Sequence, residues 1–65
     1  MNKSKALAGI EAAVYYAAVS VLKELHAQEL LDETADIEAA ALGMGRAAAR
    51  YVAFHWRDKG PDNDE

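Results

Sequence analysis

Gln28-Glu29-Leu30-Leu31-Asp32-Glu33-Thr34-Ala35-Asp36-Ile37 lies between two alanine-rich segments, and its reading decides the fold. Asp32 is suited to cap a second helix, because its carboxylate accepts hydrogen bonds from N–H groups that a first helical turn leaves unpaired. Glu33 and Asp36 then put negative charge in that first turn, where the helix dipole favours it. Arg50, Arg57 and Lys59 lean toward the other end, again in the favourable sense. This gradient predicts a helix that starts near residue 32. Neither glycine nor proline marks the turn itself, so a single uninterrupted helix through Leu30-Leu31 is the competing reading.

The flanking segments carry helical periodicity. Leu7, Glu11, Val14, Ala18, Val21 and Leu25 alternate spacings of four and three, and only Glu11 breaks the apolar row. Ile37, Ala41, Met44, Ala48, Tyr51 and His55 repeat that alternation. Such rows are the seams of helices packed nearly parallel or antiparallel. No segment alternates with the period of a strand. The expected fold is all-α: an antiparallel hairpin with helices over about 4–28 and 33–57 and a turn over 29–32. It forms a single domain, 1–60, followed by an acidic tail, 61–65, beyond Gly60-Pro61.

Size makes the hairpin an incomplete unit. A chain of 65 residues buries only about 60% of its unfolded surface. There is no cysteine, which removes disulfides and thiolate metal sites, and His26 and His55 lie far apart in sequence. Oligomerisation remains as the way to complete a core, and two hairpins pairing into a four-helix bundle is the natural solution. Leu7, Val14, Ala18, Val21, Leu25, Ile37, Ala41, Met44, Ala48 and Tyr51 are the expected core of that dimer.

Several motifs suggest chemistry. Gly43-Met44-Gly45-Arg46-Ala47-Ala48 fits the dinucleotide fingerprint G-x-G-x-x-A, but the fingerprint needs a preceding strand and a sheet that this chain does not supply. The glycines are better read as a narrow place on a helix, where close approach of a neighbour offsets their cost of about 1 kcal/mol each. His26 and Glu29, like His55 and Asp58, share a helix face, yet nothing else converges on either pair. No serine, histidine and carboxylate arrangement supports nucleophilic catalysis. The chain is therefore expected to be no enzyme, with no cofactor, metal or small-molecule substrate.

Binding surfaces are easier to find. From Ala12 to Leu22 the only polar side-chain groups are the Tyr15 and Tyr16 hydroxyls and Ser20. One seam uses Val14, Ala18 and Val21, which leaves Tyr15, Val19 and Leu22 as a second apolar row. Exposed rows of this kind mark interaction sites, and tyrosine supplies contact area at low entropic cost. Tyr15, Tyr16, Val19, Leu22 and Trp56 are the expected contacts for a protein partner. Arg46, Arg50 and Arg57, with Lys3 and Lys5, form the alternative, a basic face for RNA. The net charge of −4 disfavours nonspecific polyanion binding. The apolar run Ala12–Val19 is too short to span a bilayer, so a cytoplasmic protein is expected.

The stretch Asp32-Glu33-Thr34-Ala35-Asp36-Ile37, with Arg50 and the Asp58-Lys59-Gly60 ending, resembles the second half of the plasmid repressor-of-primer (Rop, or Rom) proteins. The first helix matches more loosely, through Leu22-Lys23-Glu24-Leu25. The resemblance implies a homodimeric antiparallel four-helix bundle that stabilises a complex of two RNA loops. Four RNA-contacting positions of the family carry asparagine, phenylalanine, glutamine and lysine. They fall here on Gly9, Ala13, Ala17 and Glu24, or without a one-residue shift on Ile10, Val14, Ala18 and Leu25. Neither set offers donors to phosphates. A host or regulatory protein that the bundle modulates is thus the favoured target, and Rop-like control of plasmid copy number through RNA the alternative.

Overall fold

The computed structural model describes residues 2–57 and contains two helices, α1 (Lys3–Ala27) and α2 (Ile37–Phe54), packed against each other. No strand occurs among the described residues. The chain therefore turns back on itself, and the single long helix is ruled out. The helices are antiparallel: Glu11 near the start of α1 meets Arg46 in the second half of α2, and the Lys3 ammonium lies 5.9 Å from the Trp56 ring centroid. The acidic tail expected at 61–65 lies outside the described residues, as do Asp58, Lys59 and Gly60.

Three of the four helix ends have an identifiable cause. The Asn2 side chain accepts a hydrogen bond from the Lys5 N–H at 3.1 Å and caps α1. At the other end the Leu30 N–H donates to the Leu25 carbonyl and the Glu29 N–H to the His26 carbonyl, both at 3.0 Å. This pair of bonds is the Schellman closure, which needs a residue in the left-handed region at its centre. Glu29 takes that role with φ 63°, where glycine is usual. The turn thus has its stop signal in hydrogen bonding rather than in residue type.

The start of α2 differs from expectation. It begins at Ile37 instead of Glu33, and the cap is Asp36, whose carboxylate accepts from the Ala39 N–H at 3.1 Å. Asp32 is engaged locally. Its side chain accepts from the Thr34 N–H (3.0 Å) and hydroxyl (2.7 Å), and its carbonyl from the Ala35 N–H (3.2 Å). Aspartate closes such turns readily, and this one competes with helix over residues 32–35. The connection therefore spans residues 28–36.

The packing between helices is built from small residues. Ala41 is 0% exposed and Ala18 8%, while no large side chain is fully buried among the described residues. Gly45 is also buried, and a Cβ placed there would lie 2.6 Å from the Glu11 carbonyl oxygen. That distance is shorter than any van der Waals contact allows, so the backbones can meet only where α2 has no side chain. A Cβ on Gly43 would meet nothing within 4 Å. The two glycines thus do different work, and only Gly45 is a site of close approach.

The contact row of α2 is accordingly Ile37, Ala41, Gly45, Ala48, Ala49 and Val52, all buried or half-buried. Met44 and Tyr51, which the four-three alternation puts on the same seam as Ala41, stay exposed within the hairpin. The reason is local: the closest approach pulls Gly45 to the centre of the interface and rotates its neighbours outward.

The two glycines should respond oppositely to alanine. Gly45→Ala is expected to lower stability by about 1–3 kcal/mol, the range for overpacking. Gly43→Ala is expected to raise it by about 0.5–1 kcal/mol through helix propensity alone. Urea unfolding followed by circular dichroism measures both; equal shifts of the same sign would contradict the packing described. At the turn, Glu29→Gly should stabilise by about 1 kcal/mol by relieving the left-handed glutamate.

Candidate interaction faces

Ala18 and Ala41 mark the inward direction of each helix, and a helix turns about 100° per residue. On one flank of α1 this places Ile10, Ala17 and Val21; on the other, Ala8, Ala12, Tyr15 and Val19. Because the helices are right-handed and antiparallel, flanks reached by the same sense of rotation meet on one side of the hairpin. Ile10, Ala17 and Val21 therefore share a side with Met44, Ala48 and Tyr51. Ala8, Ala12 and Tyr15 share the opposite side with Leu42, Arg46 and Ala49. An open groove of about 480 Å³, lined by Ala8, Glu11, Ala12, Tyr15, Tyr16 and Leu42, independently places Tyr15 beside Leu42.

The first side is an apolar flank that no other part of the described residues covers. Val21 is 59% exposed and Tyr51 68%, with Met44 exposed between them. Phe54, 84% exposed, extends the strip to the end of α2. Along α2 the residues Ile37, Ala40, Met44, Ala47, Tyr51 and Phe54 alternate spacings of three and four, as a helix-packing seam does. The charged residues of α2 (Glu38, Arg46 and Arg50) all lie off this strip, and α1 adds charge to the flank only at its ends, through Lys3 and Glu24. The Tyr51 and His55 ring centroids are 4.6 Å apart and those of Phe54 and His55 4.9 Å, so an aromatic group closes the strip at its end.

The second side carries the groove. Tyr15 and Tyr16 pack edge to face with ring centroids 5.2 Å apart. Tyr15, Val19 and Leu22 are half-buried against α2, whereas Tyr16 is exposed. The row expected as one docking surface is thus divided: Leu22 contributes mainly to the hairpin, and Tyr16 with Leu42 offers the free apolar area. Leu42 had no place in the sequence-based surface, since only the pairing of the two helices brings it to Tyr15. Trp56 sits at the far end, half-buried, with the Lys3 ammonium over its ring at 5.9 Å.

The basic residues are spread rather than gathered. The Arg46 Nε lies 3.8 Å from the Glu11 carboxylate, an ion pair with both side chains partly in water and worth little on its own. It nevertheless explains the one charged interruption in the α1 seam: Glu11 stands opposite Gly45 with its carboxylate turned out to Arg46. Arg50 and Lys5 are exposed on the groove side, and Arg57 is exposed near Trp56. No group of three histidine or carboxylate side chains among the described residues is placed to hold a metal ion. Taken over its full length, α1 is long and apolar enough to cross a membrane, with a window of mean hydropathy 1.4, although the run Ala12–Val19 alone is too short.

Comparison with protein-family models, curated proteins and solved structures finds no match to this chain.

One titration is set by geometry. The Thr34 hydroxyl bond, followed by the Thr34 backbone bond, holds the Asp32 carboxyl below the ordinary aspartate range against the opposing effect of burial. A depressed folded pKa stabilises above the unfolded value, and that contribution is lost as pH falls through the folded pKa. Thr34→Ala should therefore move the Asp32 titration, followed by carboxyl NMR, toward the ordinary value. Its stability deficit should be full near neutral pH and should shrink in acid.

Proposed function

We propose that the chain is a non-enzymatic regulatory protein: a homodimeric four-helix bundle of two hairpins that docks on a cytoplasmic protein and modulates or inhibits it. The observation that carries the reading is the unpartnered flank of Val21, Met44, Tyr51 and Phe54 on a hairpin whose own interior buries only small residues. A second copy turned over on that flank pairs apolar strips of helix-packing spacing and gives the large side chains an interior. Of the expected dimer core, Val21, Ile37, Met44, Ala48 and Tyr51 border the flank, while Leu7, Val14, Ala18, Leu25 and Ala41 serve the hairpin itself. The Rop resemblance supports the same architecture.

In that arrangement the groove with Tyr15, Tyr16 and Leu42 faces outward on both protomers and is the docking surface. RNA is the alternative target, favoured by Lys5, Arg46 and Arg50 standing on one side of the hairpin. The RNA reading predicts binding that collapses as salt rises from about 50 to 200 mM, whereas an apolar contact scarcely responds.

Sedimentation of Val21→Glu and Met44→Glu tests the dimer, since a charge on the flank is costly once buried. Both variants are expected at monomer mass and the parent at twice that. A monomeric parent, or variants that remain dimers, would overturn the bundle.

A further inference from the structure

The groove and its surrounding charge identify the kind of partner. The chain is acidic overall, yet the carboxylates of the described residues gather near the turn, at Glu24, Glu29, Asp32, Glu33, Asp36 and Glu38. The groove side carries a net positive balance, four cations against Glu11 and against Glu38, which stands one turn before Leu42 on α2. Lys5 and Lys23 stand about five turns apart on one line along α1, the line that also carries Ala12 and Tyr16. Arg46 and Arg50 stand one turn apart on α2, where they line a neighbouring groove with Leu7 and Glu11. Glu11, at the groove floor, is held by Arg46 at 3.8 Å. An apolar trough is thus bracketed by four cations, three of them without an ion pair among the described residues.

We propose that the groove of Tyr15, Tyr16 and Leu42 docks an acidic amphipathic helix of a partner protein, its apolar face on the tyrosines and its carboxylates toward Lys5, Lys23, Arg46 and Arg50. This deepens the protein-docking reading and rests on it. Helix-in-groove recognition takes apolar anchors at i, i+3, i+4 and i+7, which suits an open channel along two helices. The exposed Tyr16 ring, steadied edge to face by Tyr15 at 5.2 Å, is a stiff anchor of the type that dominates binding energy. The bracketing cations orient an acidic ligand and repel a basic one. A nucleic-acid strand fits less well, because the cations are too scattered to follow a phosphate backbone.

The test uses three fluorescent probes in anisotropy titrations. One is a helical peptide of about 18 residues with leucines at the anchor spacing and glutamates elsewhere. The second is its twin with lysine for glutamate, and the third is a stem-loop RNA. The acidic peptide is expected to bind at least about tenfold more tightly than its twin. Tyr16→Ala and Leu42→Ala should each weaken it about tenfold, with circular dichroism and sedimenting mass unchanged. Lys23→Glu combined with Arg50→Glu should abolish the preference for the acidic twin. Equal binding of the two peptides, no binding of either, indifference to Tyr16→Ala, or RNA bound in preference would each overturn the proposal. Sedimentation keeps the two readings apart: a dimer that ignores the peptide refutes the groove alone, and a monomer that binds it refutes the bundle alone.

Discussion

The contact between Gly45 and the Glu11 backbone governs the rest of the structure. An added Cβ would lie 2.6 Å from the Glu11 carbonyl oxygen, so the helix spacing at this point is set by the absence of a side chain. Ala41, one turn earlier on α2, and Ala18 on α1 continue the close approach. Close approach brings many atoms into van der Waals contact at little conformational cost, since alanine and glycine lose no rotamer freedom on burial. At this point it also leaves no room for a large apolar side chain, and none is fully buried among the described residues.

That second effect shapes the surface. A hairpin zipped together by small residues leaves many of its large apolar side chains exposed, and one flank carries Val21, Met44, Tyr51 and Phe54 almost without charge. Contiguous exposed apolar surface is where soluble proteins commonly meet partners, which is why this flank is the proposed dimer face. The opposite flank is different in kind, because the Glu11–Arg46 pair and the surrounding lysines and arginine give it polar edges. That difference is the basis for proposing different occupants, a second copy against the apolar strip and an acidic helix in the tyrosine groove.

Much of the architecture was legible in the sequence. Alanine content and the four-three spacing specify two helices; the expected charge gradient holds only at the start of α2, where Glu38 lies in the first turn, since no basic residue lies in its last turn and Arg57 lies beyond its end. The precise turn was not legible, because its stop signal is a glutamate held in the left-handed region and its start signal had two rivals four residues apart. Asp36 prevailed as the cap once Asp32 was engaged by Thr34. The rotation of α2 was also hidden. A periodic row on an alanine-rich helix fits several faces nearly equally well, and only the Gly45 contact selects among them. Leu42 became part of the groove for the same reason, since its neighbours Tyr15 and Tyr16 lie on the other helix. The glycine pair was legible as a narrow place, but the sequence could not say which glycine the backbone meets.

The central claim is that one hairpin lacks a sufficient core and a second copy supplies it. Thermal unfolding followed over a hundredfold range of protein concentration tests this most directly, because dissociation coupled to unfolding makes the midpoint depend on concentration. The midpoint is expected to climb steadily as the chain is concentrated. A midpoint indifferent to concentration, from a chain sedimenting at monomer mass, would contradict it.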